Sequence, residues 1–308
     1  MNPTLAIADP LLDDFASKIG ESGPVFVEGA RTRWAVGGEP TSGTRAVTAP
    51  KGIVDYLPEE MIVTVRAGTS VSDLHAELAG KRQRTALPER GGTVGGAVAV
   101  GENDHRVLGR GTVRSAVLQV RYISADGDLV TGGGPTVKNV TGFDLPRLMT
   151  GSLGTLGCLG EFIVRTNPIP ETTQWFAAES ADPFAAHTAL LAPSAVVWNG
   201  TTTWVQIEGH ASDVAEQALA LRAAGSFSES PAPPTPTGHR WSLKPSDLGR
   251  ISSHDTGEFT ALIGVGTVFA TKPQRRTLDP DLAELQRRIK REFDPSGRLN
   301  PGRDTAAT

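Results

Sequence analysis

One cysteine, Cys158, stands in 308 residues. A single thiol excludes an intramolecular disulfide, an all-cysteine zinc site and an iron–sulfur cluster held by this chain alone. Its apolar and glycine neighbours predict a buried, inert thiol. Aromatic residues are scarce at 6%. No run of about 18 apolar residues occurs, so no membrane-spanning helix is expected. The opening "MNPTLAIADPLLDDFASKIG" has no basic n-region and no long apolar core, which predicts a cytoplasmic protein without a signal peptide. The formal charge of −4 leaves no electrostatic footprint for nucleic acid. The motifs G-x-x-x-x-G-K-[ST], G-x-S-x-G and H-E-x-x-H are missing. "GRGTVR" (109–114) starts like a dinucleotide fingerprint but lacks the third glycine and does not read as opening a helix. The six histidines, at 75, 105, 187, 210, 239 and 254, show no metal-ligand spacing, so no metal is expected. His75 reads as a surface or interface residue.

Glycine (35) and proline (22) are plentiful, and much of the glycine lies between Gly91 and Gly160. An apolar share of 38% with 21% charged residues is ordinary for a globular chain with a sizeable core. The length predicts one large domain and a smaller one. Periodicity predicts a helix within 1–23 with Leu11, Leu12 and Phe15 on one face, and a short strand entering "PVFVEGARTRWAVGG". It also predicts the strand "MIVTVRAG" and a helix after it, capped by Ser70 and Asp73. Hairpins are expected at Asp126–Gly127 and Asn199–Gly200, and a strand at 158–171. A helix with a serine cap and a glycine stop is expected over 212–225, and a proline-rich loop over 229–238. Residues 259–271 read as a buried strand or hairpin. Asp279 and Pro280 start a last helix with Leu282, Leu285, Ile289 and Phe293 at helical spacing.

Three glycine-rich segments meet strand ends: Gly29–Arg33, Gly91–Gly96, and the row Gly151, Gly154, Gly157, Gly160. Taken alone, each reads equally as a close-packed turn or as a cradle of backbone amides for phosphate oxygens. Three in one region, with no internal repeat, favour an extended ligand laid across the backbone.

The order of these motifs resembles the FAD-binding domain of the vanillyl-alcohol-oxidase (PCMH-type) flavoprotein family. "GARTRWAVGG" resembles the pyrophosphate loop, "LPERGGTVGGAVAVGEND" the second flavin segment, and "VKNVTGFDLPRLMTGSLGTLGCLGEFIVRTNPIPE" the long signature that follows. "KREFDPSGRLNPGR" resembles the returning tail. Within the family the likeness is greatest to the FAD-binding subunits of bacterial glycolate oxidase complexes; the resemblance covers residues of about 24–171 and 279–303 strongly and 194–270 more weakly.

The resemblance implies an α+β fold: a two-subdomain PCMH-type FAD-binding domain (1–172), a short α+β cap (173–272), and a C-terminal helix and tail (273–308) returning to the FAD domain. It implies that the amides of Gly29, Ala30, Arg31, Thr32 and Arg33 hold the pyrophosphate. Pro88, Gly92, Thr93, Gly95 and Gly96 would line the ribityl and isoalloxazine side. Gly111, Thr112 and Arg114 would lie by the flavin–phosphate stretch, Glu161 and Ile163 by the adenine, and Asn300 by the flavin ring. Asn300 also reads as a cap for the turn after Asp294–Pro295. Lys138 and Asp144 read equally as an internal ion pair or as ligand contacts.

The first loop has no histidine, Cys158 lies beyond the loop where a cysteinyl link falls in the family, and the neighbours of His105 do not match a linkage pattern. Non-covalent FAD is therefore expected. The implied activity is FAD-dependent oxidation of a small 2-hydroxy acid beside a D-type FAD subunit and an iron–sulfur subunit, with membrane association only through partners. A stand-alone FAD oxidoreductase and a non-catalytic assembly subunit are the alternatives; Ala30 and Arg31 in the phosphate loop favour the latter. No catalytic base is assigned. Arg222, Arg240 and Lys244 are the nearest candidates for a carboxylate-binding cation, and each reads more readily as a surface residue.

Overall fold

The computed structural model describes residues 9–135, 143–274 and 279–305. Asp9 accepts the Leu12 amide at 3.3 Å and Pro10 fills the first turn, so the chain opens into α1 (Pro10–Ile19). Leu12, Phe15 and Ile19 form its buried side. Leu11, expected on that side, is 51% exposed, because one residue advances about 100° round a helix. A parallel pair follows, β1 (Val25–Val27) and β2 (Arg45–Val47), then the antiparallel β3 (Ile53–Leu57) and β4 (Ile62–Arg66). Ser70 accepts the Asp73 amide at 3.0 Å and starts α2 (Val71–Ala79). Next come β5 (Gln83–Thr85) and α3 (Val94–Val100). "GRGTVR" does open a helix, though one of four residues. It joins α4 (Val107–Arg110) to α5 (Val113–Ala116), where Thr112 and Ser115 form a reciprocal capping box. β6 (Val117–Ile123) and β7 (Leu129–Gly133) make the expected hairpin, followed by α6 (Leu145–Met149) and the long β8 (Cys158–Pro168).

The second half contains β9 (Thr172–Glu179), α7 (Pro183–Ala189), β10 (Ala195–Trp198), β11 (Thr202–Gly209) and α8 (Ala211–Ala224). α8 begins after His210 with no side-chain cap, so Ser212 lies inside it rather than capping it. Then come β12 (Ser228–Glu229), β13 (His239–Ser242), α9 (Ser253–Thr256), the hairpin β14 (Phe259–Leu262) and β15 (Thr267–Ala270), and α10 (Pro280–Phe293).

The chain divides into two compact units. The first comprises residues 1–102, 112–167 and 278–308; the second comprises 103–111 and 168–277. In the first, the strands run in the order β3-β4-β8-β6-β7, with β5 also paired to β8. β8 is buried from Cys158 through Val164, as suits a central strand covered on both faces. Phe15, Leu74, Leu78 and Phe162 belong to its core. Ile289 and Phe293 of α10 pack on that core, whereas Leu282 and Leu285 remain exposed.

In the second unit all neighbours are antiparallel, in the order β12-β9-β11-β10-β14-β15-β13. Ala186 of α7 and Val214, Ala218 and Leu221 of α8 share a core with Phe176, Val205 and Ile207. Residues 103–111, sequence neighbours of the glycine segment, belong here: the Gly109 amide donates to the Ser194 carbonyl at 3.1 Å. A Cβ on Gly109 would lie 2.5 Å from Ser194 Oγ.

Candidate functional site

The site lies within the first unit, where β1 ends. The Glu28 amide still donates to Val47 at 2.8 Å. Beyond it, among the described residues, the backbone N–H groups of Gly29, Ala30, Arg31, Thr32 and Arg33 find no acceptor in the protein. Arg31 sits in the left-handed region (φ 55), which turns this run of donors into a loop. Successive free amides in such a loop form a concavity suited to anionic oxygens.

The opposing wall comes from three other pieces of chain. Thr93, Gly95, Gly96, Ala99 and Val100 come from α3 and its cap, and Ala67 and Gly68 from the end of β4. Leu153 and Gly154 complete it with Asn300 and Arg303 of the tail. The cleft has a volume of about 120 Å³, below the usual size of a small-molecule site.

The glycines keep these pieces close. A Cβ on Gly29 would lie 2.8 Å from Thr93 Oγ1, on Gly95 2.8 Å from Ala67 Cβ, and on Gly68 2.2 Å from the Ala49 carbonyl oxygen. Gly91 and Gly92 have φ of 68° and 87°, and a Cβ on Gly92 would meet Thr32 Oγ1 at 2.4 Å. What approaches the second glycine segment is therefore the first loop and the end of β4. The row at 151–160 divides likewise: Gly154 faces Asn300, Gly157 faces the Tyr122 ring, and Gly160 faces Leu12.

The tail is held by its own side chains. Asn300 Nδ2 donates to Leu153 O at 2.7 Å and its Oδ1 accepts from the Val27 amide at 3.2 Å. Asp294, not Asn300, caps the preceding turn, accepting from the Arg298 and Leu299 amides at 3.0 and 2.8 Å. Trp34, which no motif singled out, lies between two guanidinium groups, Arg31 at 4.6 Å and Arg303 at 4.8 Å from its ring. Phe26 meets it edge-on at 5.7 Å.

Of the residues expected at the cofactor, the cleft gathers Gly29, Ala30, Arg31, Thr32, Arg33, Thr93, Gly95, Gly96 and Asn300. The others lie outside its lining. Pro88 accepts the Arg90 amide, and Gly92 sits beneath Thr32. Gly111 ends α4, Thr112 caps α5, and Arg114 donates to Thr150 O at 3.3 Å. Ile163 pairs with Thr64 and Gln119 inside the sheet. Glu161 is buried in an ion network with Arg66 and Arg121, each at 3.1 Å, and both cations also reach Asp9. Burial acts to raise the Asp9 carboxyl, but the Arg66 hydrogen bond, the Leu12 amide and the two cations hold it below its ordinary value. Asp144 caps α6 and pairs with Arg147; Lys138 lies outside the described residues.

Cys158 is fully buried and desolvation pushes its thiol up to about 12, so it is no nucleophile. The His75 side chain is only 15% exposed and lies 3.4 Å from Glu89, more enclosed than expected. Among the described residues no group of three or more His, Cys, Asp or Glu could hold a metal, and no helix is long and apolar enough to cross a membrane.

The candidate cations of the second unit separate. Arg222 is exposed near Glu229 on α8, and Lys244 is exposed, whereas Arg240 is partly buried on β13 opposite Phe269. A second cavity of about 730 Å³ in that unit is walled by Trp198, Trp204, Phe259 and Pro233–Thr237, with Glu258 its sole charged lining residue. It offers a carboxylate no cation.

A dinucleotide with an anionic diphosphate and flat rings fits the first cleft, which supplies free amides, arginines and an apolar floor. Comparison with known proteins agrees. Residues 20–133 match the FAD binding domain and residues 264–303 the C-terminal domain of FAD linked oxidases. Glycolate oxidase subunit GlcE of Escherichia coli (strain K12) is 36% identical over 167 residues, 53% of this chain and 48% of that protein. D-lactate dehydrogenase of Archaeoglobus fulgidus is 31% identical over 150 residues, 47% of this chain and 33% of the relative. Glycolate oxidase subunit GlcD of Bacillus subtilis (strain 168) is 30% identical over 154 residues, 48% of this chain and 33% of the relative. The matched region thus spans less than half the length of each of these relatives. The structure of an alkyldihydroxyacetonephosphate synthase superposes with a TM-score of 0.66 at 11% identity, over 94% of this chain and 73% of the other, a likeness of fold. Residues 20–133 and 264–303 thus carry the FAD binding domain and the C-terminal domain of FAD linked oxidases, and the cofactor they indicate is FAD.

Proposed function

We propose that this chain is the FAD-holding subunit of a glycolate-oxidase-like complex that oxidises a small 2-hydroxy acid, with FAD bound non-covalently. The observation that carries the reading is the run of five acceptor-free amides, Gly29–Arg33, facing the Thr93–Val100 wall. Gly29–Arg33 would hold the pyrophosphate, while Thr93, Gly95, Gly96 and Asn300 would border the remainder of the cofactor. The outlying Pro88, Gly92, Gly111, Thr112, Arg114, Glu161 and Ile163 would act by fixing the segments that frame the cleft. When bound, FAD supplies two-electron redox chemistry.

A partner is needed on chemical grounds. Oxidising a hydroxy acid takes a base for the hydroxyl proton. The cleft holds no histidine, and its one carboxylate, Glu28, is tied to Arg31 at 2.5 Å. With one cysteine, the chain passes electrons on rather than storing them in an iron–sulfur cluster. A D-type flavin subunit and an iron–sulfur subunit would supply these functions, and we place the assembly in the cytoplasm.

The test is purification of the chain with excess FAD. It should be yellow, release all its flavin on acid precipitation, and show no bleaching with glycolate or D-lactate until the partner subunits are added. A chain that takes up no flavin overturns the cofactor assignment; bleaching by the isolated chain overturns the need for a partner.

A further inference from the structure

We propose that the cavity of the second unit binds a small organic cation, an amine or ammonium group carried on a flat apolar body. The cavity, about 730 Å³, is lined by residues of that unit alone and shares none of them with the cofactor cleft. Its volume falls in the range of roughly 300–1,000 Å³ usual for small-molecule sites, and a single lysine or arginine side chain would leave most of it empty.

The walls are aromatic and stiff. β10 ends on Trp198 and β11 carries Trp204, and Phe259 at the start of β14 meets the Trp198 ring at 5.2 Å and 73°. Edge-to-face packing of this kind covers one ring face of the pair and leaves other faces for a ligand. Pro233 and Pro236 are both buried, at the three-residue spacing of a polyproline II turn. Their fixed φ leaves this wall little freedom to lose on binding.

Against these rings stands one charge. Glu258 lines the cavity, and among the described residues its carboxylate takes part in no ion pair or hydrogen bond. Its backbone is set, because Glu258 O accepts the Thr271 amide at 3.0 Å and a Cβ on Gly257 would collide with Thr271 Oγ1. Lys272 packs beside Gly257 but donates to His254 O at 2.7 Å. Ring faces attract a cation through their quadrupole, and an unpaired carboxylate adds to that attraction. An anion would meet Glu258 with no compensating cation, while a neutral body would gain from the rings alone. The combination selects positive charge.

The experiment is fluorine NMR of the full chain labelled with fluorotryptophan, its five signals assigned by single tryptophan-to-phenylalanine variants. Benzylamine, benzyl alcohol and benzoate are titrated in turn; they share one ring and differ in charge. Benzylamine should shift Trp198 and Trp204 but not Trp34 of the cofactor cleft. It should bind roughly tenfold more tightly than the alcohol, as a cation–π contact supplemented by a carboxylate implies, and benzoate should bind weakest. Glu258→Gln, at an exposed position, should keep the wild-type melting temperature and lose most of the preference for the amine. Glu258→Lys should turn the preference toward benzoate. Equal affinities for the three probes, or an amine preference left intact by Glu258→Gln, overturns the inference. So does the lack of any Trp198 or Trp204 shift with millimolar benzylamine.

Discussion

Asp104 shows how far a single residue departs from what its sequence neighbours suggest. It is 4% exposed in the second unit and takes Arg106 Nε at 2.7 Å and Nη2 at 2.9 Å. Burial acts to raise its carboxyl, yet the Arg106 hydrogen bonds and charge, with His105, bring it down from 3.8 to about 2. A lowered native pKa means stability present above the unfolded value and lost as pH falls through the folded one. The shift is worth about 2 kcal/mol at neutral pH, and about half of that is gone by pH 3. Asp104→Asn should therefore lower stability to urea by about 2 kcal/mol at pH 7, with the gap to wild type narrowing from pH 4 downward. A constant gap between pH 7 and pH 3 would refute the assignment. "NDHR" in the sequence carried no such signal, since the pairing depends on a burial that only the fold creates. Asn300 is the converse. Its place by the cleft was legible from the tail motif, but its two backbone partners, 147 and 273 residues away, were not.

Elements with strong local signals were readable: α2 from Ser70 and its apolar spacing, β6–β7 from Asp126–Gly127, α10 from Asp279–Pro280. The glycine row was not, because period-three glycine fits a ligand cradle and close packing alike. Structure resolves it element by element. A Cβ on Gly157 would stand 2.3 Å from Tyr122 Cδ2, a ring 4% exposed on β6. Gly157→Ala should thus destabilise the first unit by about 1–3 kcal/mol through overpacking between β8 and β6. Flavin affinity per folded molecule should stay as in wild type, since Gly157 lies outside the cleft lining. Calorimetry with flavin titration checks both; a stable variant with weakened FAD binding would place the ligand against Gly157 instead. Gly95 faces Ala67 at the same time as it lines the cleft, so a bulky residue there would break packing and binding together.

At the scale of the whole chain, the cleft exists because residues about 270 positions apart close it. The Val25 amide donates to Arg298 O and the Asn300 amide donates to Val25 O, laying the tail beside β1. Arg298, 6% exposed, holds that return. Its Nε donates to Gly23 O, Nη1 to Ala125 O, and Nη2 to both Ile19 O and Ser22 O, at 2.8–3.1 Å. One guanidinium thus satisfies carbonyls at the end of α1, in the loop before β1 and in the β6–β7 turn, none of which belongs to the cleft. Arg298→Ala leaves the carbonyls of Ser22, Gly23 and Ala125 to find water or stay unpaired, while Ile19 O keeps Arg45 Nη2 at 2.8 Å, at an expected cost of about 3–5 kcal/mol. On the proposed placement of FAD in this cleft, the variant should purify with less flavin than wild type, and excess FAD should recover part of the lost melting temperature by mass action. The recovery separates two roles. If Arg298 tethers the tail that completes the cofactor wall, FAD-induced stabilisation at a fixed FAD concentration is smaller in the variant. If it only knits the fold, the FAD increment equals that of wild type although both melting temperatures are lower. An unchanged melting temperature without FAD would show that the tail is held without the Arg298 side chain, by the Val25 backbone bonds, Asp294 and Asn300 among others.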